Sequence, residues 1–156
     1  MFLNNYLIDT GDVYRNGAGM YLNGLNTFSN NTIINNDAQG GYGGGIYVNS
    51  ENALIDSCAI SGNRAGFGGG IYVNTDSVKV NHCTITNNYA SLNGGGIWGG
   101  KWIYNSIIKY NEVGDTANAG GIYGDPVSLN YNNINHNQGY QLKKSNMNIK
   151  LPLNRN

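Results

Sequence analysis

The sequence predicts an all-β protein, a right-handed parallel β-helix (solenoid) of about five coils with 25–26 residues in each coil. Three observations predict this fold. A glycine-rich motif returns at a nearly constant interval, aliphatic residues form columns at fixed offsets from it, and apolar and polar residues alternate within each repeat. No helical period competes with the alternation.

The glycine-rich motif recurs as GAGMYLN, GGGIYVN (twice), GGGIWGG and AGGIYGD. The aliphatic residues after the glycines form a first column: Met20, Ile46, Ile71, Ile97 and Ile122. Successive members are 26, 25, 26 and 25 residues apart. A strand-only unit of this size cannot bury its apolar face alone, whereas stacked copies can pair in parallel at ~4.8 Å. The repeat therefore predicts a stack of coils.

Two further columns run through the chain. The second contains Ile33, Ile60, Ile85, Ile108 and Ile134. The third lies five residues earlier and contains Phe28, Ile55, Val80, Ile103 and Leu129. Leu3 is expected to extend the third column and Ile8 the second. Three short strands and three turns are predicted per coil, with insertions concentrated in the loop before each glycine run, because that stretch varies in length whereas the spacing between the second and third columns is constant.

Glycine and asparagine are expected at the corners of each coil. The glycine run fits a corner that needs positive φ or no Cβ atom. An asparagine follows each second-column isoleucine by three residues: Asn36, Asn63, Asn88, Asn111 and Asn137. These asparagines are predicted to adopt the left-handed turn conformation and to hydrogen bond from coil to coil.

Residues 1–142 are predicted to form the β-helix, and residues 143–156 a basic C-terminal tail or an irregular last strand. The tail carries four of the nine basic residues and no acidic one. Because the chain opens in mid-coil, the repeats are expected to be part of a longer solenoid.

The chain contains nine Lys and Arg residues and nine Asp and Glu residues, so its charges balance, and charged residues make up only 12% of it. Such a chain has no basic field to attract nucleic acid, so no nucleic-acid partner is predicted. No apolar run approaches the length of a membrane helix, and we expect no membrane insertion of this segment. No secretion signal is recognisable at its start. The spacing of Cys and His suggests no metal site, and no cofactor is predicted.

The motif GGGIY followed at a fixed offset by IxxN resembles the repeats of bacterial and archaeal surface proteins with right-handed parallel β-helix domains, including polymorphic outer-membrane proteins and pectate-lyase-like surface domains. The resemblance covers roughly Leu3 to Asn137, although IxxN stands where the outer-membrane family has FxxN. It implies a secreted or cell-surface location. It does not imply one activity, because such repeats occur in adhesins, autotransporter-like passengers, sorted surface proteins and polysaccharide-degrading enzymes alike.

One aromatic residue follows each member of the first column: Tyr21, Tyr47, Tyr72, Trp98 and Tyr123. These five residues, the aromatic ladder, are predicted to point outward and to stack along one face over ~19 Å. Stacked rings stabilise coils, whereas an exposed aromatic strip binds the flat faces of sugars or a partner surface. Both interpretations are open, and the ladder is the candidate ligand-binding site.

Cys58 and Cys83 each lie two residues before the second column. Both are predicted to point inward from consecutive coils with Cα atoms ~4.8 Å apart, which is within disulfide reach. Two buried free thiols are the favoured alternative, because the same position holds Asn31, Ser106 and Asn132 in other coils.

Glu51 and Asp76 are the acidic residues that a catalytic interpretation would use. Both lie nine residues before the second column and are expected to be neighbours on adjacent coils. A separation of ~5 Å would suit a retaining glycosidase and ~6.5–9.5 Å an inverting one. Both follow a strand in a polar turn, where solvated acids are usual, so no catalytic residue is assigned. His82 and His136 fall in turns at different positions of their coils and form no acid–base pair.

The sequence thus favours a non-catalytic extracellular or cell-surface domain that serves as a rigid adhesin or stalk, or as a surface that binds polysaccharide or host-cell glycan. The alternative is part of a polysaccharide lyase or glycoside hydrolase. A second alternative is a self-assembling fibre subunit that associates end to end.

Overall fold

The computed structural model describes residues 1–3, 16–24, 27–116 and 118–143, so that Ile8 and residues 144–156 of the predicted tail lie outside the described residues. The described residues form short strands and no helix. Every strand pairs in parallel with its copy in a neighbouring coil. The predicted all-β parallel solenoid of about five coils is therefore confirmed.

Three long sheets run the length of the solenoid and are numbered here by their order along a coil. Sheet 1 contains the first column, in strands Met20–Leu22, Ile46–Val48, Ile71–Val73, Ile97–Trp98, Ile122–Tyr123 and Leu142–Lys143. Sheet 2 contains the third column, in strands Thr27–Ser29, Leu54–Asp56, Lys79–Asn81, Trp102–Tyr104 and Ser128–Asn130. Sheet 3 contains the second column, in strands Phe2–Leu3, Thr32–Ile34, Ala59–Ser61, Thr84–Thr86, Ile107–Lys109 and Asn133–Asn135.

A fourth short sheet shows that the prediction of three strands per coil was wrong for the middle coils. Sheet 4 contains Arg64–Phe67, Tyr89–Asn93 and Glu112–Val113. These strands occupy the stretch that was predicted to be a variable loop. Parallel backbone pairing needs only a few residues in register, so the stretch forms a sheet even though its register shifts between Ala90 and Asn93.

The core contains the three predicted columns, which lie in register from coil to coil. Ile46 pairs with Ile71 in sheet 1 and Ile60 with Ile85 in sheet 3, and all four are fully buried. Each such side chain contributes about 1.5–3 kcal/mol relative to an exposed position. The columns confirm the repeat as the source of the fold.

The strand Phe2–Leu3 corrects the placement of Leu3. It pairs with sheet 3, where Phe2 lies opposite Ile33 and Leu3 opposite Ile34. The prediction that Leu3 belongs to the third column, in sheet 2, was therefore wrong. Two adjacent apolar residues can serve either face of a strand, so only the backbone pairing decides their register.

The left-handed turn conformation does not fall on the predicted asparagine column. It falls one residue earlier, at Asn35, Gly62, Asn87, Tyr110 and His136. A second set lies between sheets 2 and 3: Asn30, Ser57, His82, Asn105 and Tyr131. The chain turns at these residues, and the turn directs the next side chain inward, where the asparagines are needed for hydrogen bonding.

The buried asparagines form the predicted ladder. The Nδ2 atom of Asn88 donates to Asn111 Oδ1 and to the carbonyl of Ile60, both at 3.0 Å. Its Oδ1 atom accepts the backbone and side-chain N–H groups of Asn63, at 2.9 and 3.0 Å. Because both donors and both lone pairs are used, a polar amide is tolerated in a core from which water is excluded. Gln141 accepts from Asn137 at the last rung.

The glycine runs allow neighbouring coils to approach closely. Gly68 begins one run with φ of +62°, whereas a Cβ atom on the third glycine, Gly70, would lie 2.6 Å from the carbonyl oxygen of Gly96 in the next coil. The corner therefore needs positive φ at its start and no side chain at its end.

Candidate functional site

The aromatic ladder lies on the outer face of sheet 1, as predicted. Tyr21 and Tyr47 stack with ring centroids 5.1 Å apart, and Tyr47 and Tyr72 with centroids 5.3 Å apart. Tyr72 and Trp98 approach to 4.4 Å, while Trp98 and Tyr123 lie 6.3 Å apart. The interplanar angles of 6–18° make every pair a stacked one. Strand register places the rings one coil apart, which is close to the optimum for offset stacking.

Burial divides the ladder into an inner part and two ends. Tyr47 and Tyr72 are each only 8% exposed, whereas Tyr21 is 44% exposed and Trp98 and Tyr123 are half-buried. The rings of Tyr47 and Tyr72 face neighbouring rings on both sides. Their flat faces are therefore occupied, and a ligand can reach aromatic surface mainly at the two ends.

A second aromatic stack packs against the inner ring of Tyr72. Tyr42 stacks on Phe67 at 5.3 Å and meets the ring of Tyr72 edge-on at 4.8 Å. Burial is the largest cause that raises the pKa of Tyr72 to about 12, followed by the neighbouring hydroxyls of Tyr47 and Tyr42. Tyr72 thus belongs to a packed layer that stabilises the coils.

A groove opens where the ladder reaches Trp98 and Tyr123. In the earlier coils a buried Leu22, Val48 or Val73 follows the aromatic residue, but Gly99 and Gly124 hold this position in the last two glycine-rich repeats. The strands there are two residues long instead of three. Gly99 has φ of +78° and Gly124 φ of +144°, so the backbone leaves the strand directly after each ring. The groove has a volume of about 350 Å³.

Charged side chains line this groove beside the rings. Lys101 Nζ lies 2.8 Å from Asp76 Oδ2, and Asp125 lies on the same groove. Sequence reasoning missed Lys101, Asp125, Gly99 and Gly124 as site residues. The signal was the change of the motif from GGGIYVN to GGGIWGG and AGGIYGD.

The candidate acidic residues Glu51 and Asp76 have separate partners. Glu51 accepts a hydrogen bond from Ser77 Oγ, and Asp76 pairs with Lys101. Both acids are exposed. They occupy equivalent positions on adjacent coils, as expected, but neither is buried or hydrogen bonded to the other. Their catalytic use stays a prediction without support from the contacts.

The histidines lie in different turns, in agreement with the sequence. His82 Nδ1 lies 3.3 Å from Asp56 Oδ1, and the ring of His136 packs against Tyr110 with centroids 5.2 Å apart. A hydrogen bond from Ser57 is the largest cause that lowers the pKa of Asp56. These exposed contacts belong to the turns and form no shared site.

Cys58 and Cys83 are free, buried thiols that point inward. Each Sγ lies 3.2 Å from the carbonyl oxygen two residues earlier, on Asp56 and Asn81 respectively. Ser106 Oγ donates to the Tyr104 carbonyl in the same way at 2.7 Å. The hydrogen bond with Cys58, together with burial, raises the pKa of the Cys83 thiol. The side chains at this position of the coil, Cys58, Cys83 and Ser106, therefore stabilise the turn between sheets 2 and 3.

Within the described ranges, no group of three or more His, Cys, Asp or Glu side chains is arranged to hold a metal ion. The same part of the chain contains no helix with the length and apolar character needed to cross a membrane.

A family model described as a right-handed beta helix region matches residues 16–152. No curated protein and no solved structure matches the chain.

Proposed function

The chain belongs to the right-handed β-helix family, and on this premise we propose that it is a rigid, non-catalytic domain of a secreted or cell-surface protein that binds polysaccharide at the end of its aromatic ladder. The domain would act as an adhesin or stalk module that holds its binding surface in a fixed orientation. Fold alone does not carry this proposal, because β-helices serve several functions.

Rigidity is supported by how the coils are joined. Parallel backbone bonds in three long sheets link each coil to the next, and the buried asparagine ladder adds side-chain bonds inside the core. Stretching or bending the solenoid would break several of these bonds together. A stalk needs this property.

The single observation that carries the binding proposal is the course of the aromatic ladder, which runs in register along sheet 1 and ends at a groove beside Trp98 and Tyr123. Aromatic surface next to polar side chains is a common setting for sugar binding, because the ring contacts C–H groups while the polar groups bind hydroxyls. The exposed, separately partnered Glu51 and Asp76 favour binding over catalysis.

The test is retention of the whole chain on a panel of immobilised polysaccharides, with release of reducing and unsaturated sugar ends measured in parallel. We expect retention on at least one polysaccharide and no release. Tyr131→Asn is the control for substitution of a ladder ring such as Trp98→Ala. It removes an exposed aromatic ring outside the ladder, at a position whose positive φ suits asparagine.

Absence of retention on every polysaccharide would overturn the binding proposal. Product release that disappears in Glu51→Gln or Asp76→Asn would replace it with a lyase or hydrolase activity.

A further inference from the structure

We propose that the groove beside Trp98 and Tyr123 is a single subsite for a neutral sugar unit and that it disfavours uronic acids. The inference rests on the proposed polysaccharide binding and specifies its place and its ligand class. It follows from the shape of the groove, the exposure and spacing of its two rings, and the charged side chains that line it.

The groove has the size and composition of a small-ligand site. Its volume of about 350 Å³ lies at the lower end of the range typical of such sites. Gly99, Gly100 and Gly124 contribute backbone without side chains, so a ligand can approach the main chain closely.

The two rings at the groove differ from those inside the ladder. Trp98 and Tyr123 are half-buried, and their centroids are 6.3 Å apart, compared with 5.3 Å for Tyr47 and Tyr72. Both rings keep some accessible aromatic surface, although Tyr72 covers the face of Trp98 that points away from Tyr123, where the ring centroids are 4.4 Å apart. Such surface suits the C–H face of a hexose.

The polar groups at the groove match hydroxyls. Carboxylates accept hydrogen bonds from sugar hydroxyl groups, and the Lys101 ammonium group donates to hydroxyl or ring oxygens. The described charged side chains on the groove are Asp76, Lys101 and Asp125, which together carry one excess negative charge. A uronate would add a further negative charge near two carboxylates, whereas a neutral sugar would not.

The groove lies where the repeat changes, at the last two rings of the ladder. In the preceding coils Val48 and Val73 occupy the position of Gly99 and Gly124, and asparagine follows them. Binding along the whole ladder would give several equivalent sites, so the stoichiometry distinguishes a single subsite from a repeated one.

The experiment measures binding of the whole chain to soluble hexasaccharides by calorimetry. The probes are neutral gluco-, manno-, xylo- and galacto-oligosaccharides and, as the acidic probe, hexagalacturonate. We expect one site per chain for at least one neutral probe, at least tenfold weaker binding of hexagalacturonate, and at least tenfold loss of neutral binding in Trp98→Ala. Tyr131→Asn should bind as the wild type does.

A charge variant tests the groove without removing a ring. Asp76→Asn combined with Asp125→Asn changes the net groove charge from one negative to one positive, and it should raise hexagalacturonate affinity relative to the neutral probe at least tenfold. Thermal melts establish that each variant is folded. Polysaccharide binding that is unchanged in Trp98→Ala and in the charge variant would overturn the subsite and the placement of binding at the end of the ladder, but not polysaccharide binding by the domain. Absence of any binding would overturn both.

Discussion

The side-chain oxygen of Asn111 accepts two hydrogen bonds from Asn88 in the preceding coil, one from the backbone N–H and one from Nδ2, both at 3.0 Å. The same pair of hydrogen bonds joins each buried asparagine to the next, from Asn36 to Asn137. A single substitution in this ladder therefore affects three consecutive coils.

Asn88→Ala should lower the free energy of unfolding by about 3 kcal/mol or more, because it removes the acceptor of the Asn63 backbone N–H and of one Nδ2 hydrogen of Asn63, and one donor to the Ile60 carbonyl. Chemical denaturation measures the loss. Asn74→Ala is the matched control, since it removes one exposed bond to Asn49 and should cost under about 1 kcal/mol. Equal losses in the two variants would contradict the importance of the buried ladder.

Gly70→Ala should be among the most damaging small substitutions. Its Cβ atom would lie 2.6 Å from the Gly96 carbonyl oxygen, so the coils would have to separate, at a cost of about 3 kcal/mol or more. Gly40→Ala provides the comparison, because its φ of +82° imposes strain but no atom lies within 4 Å of the added carbon. It should cost about 1–2 kcal/mol. Thermal melts of both variants show which substitution lowers the stability more. A smaller loss for Gly70→Ala than for Gly40→Ala would argue against close contact between the coils.

Tyr72→Ala should destabilise the chain far more than Tyr21→Ala. Tyr72 is 8% exposed and contacts Tyr47, Trp98 and Tyr42, whereas Tyr21 is 44% exposed at the end of the ladder. Losses of about 3–5 kcal/mol and about 1 kcal/mol are expected in denaturant unfolding. Similar losses would mean that the inner rings are not a packed layer.

Alkaline pH should destabilise the folded chain through Tyr72. Its pKa is about 12 in the fold and 10.0 ordinarily, so the unfolded chain loses this proton first. The stabilisation from the neutral phenol is thus fully present below about pH 10 and is lost between about pH 10 and 12, a change of roughly 2 kcal/mol. Melting temperatures across this range should fall less steeply in Tyr72→Phe. An identical pH dependence would contradict the raised pKa.

Cys83→Ser should cost less than about 1 kcal/mol, because serine can donate to the Asn81 carbonyl as Ser106 does to Tyr104 in the next coil. Cys83→Val, which fills the space but cannot donate, serves as the comparison and should cost more. Both native thiols should react with an aromatic disulfide reagent only after denaturant is added, since both are buried. Rapid labelling of the folded chain would show that the two thiols are open to solvent.

Much of the fold follows from the sequence because burial repeats at a fixed interval. Ile46, Ile71, Ile97 and Ile122 each need an apolar environment, and a 25–26-residue step provides it only if the coils stack. The aromatic ladder is predicted by the same reasoning, since a residue next to an inward one on a strand points outward. These features depend on side-chain identity, which the sequence displays directly.

The tertiary structure decided three other features: the presence of sheet 4, the register of Phe2–Leu3, and the left-handed conformation of the residues before the asparagines. They depend on backbone pairing and turn geometry, which many side chains allow, so Tyr110 and His136 can adopt the same conformation as Asn87.

The candidate site shows the same division. The sequence alone determined that five rings share one face of a parallel solenoid. Only the tertiary structure decided that Tyr47 and Tyr72 cover each other while Trp98 and Tyr123 border a groove, because accessibility depends on distances between coils and on the path of the backbone at Gly99 and Gly124. Periodicity records which side chains face inward, but it carries no information about which outward surfaces their neighbours leave uncovered.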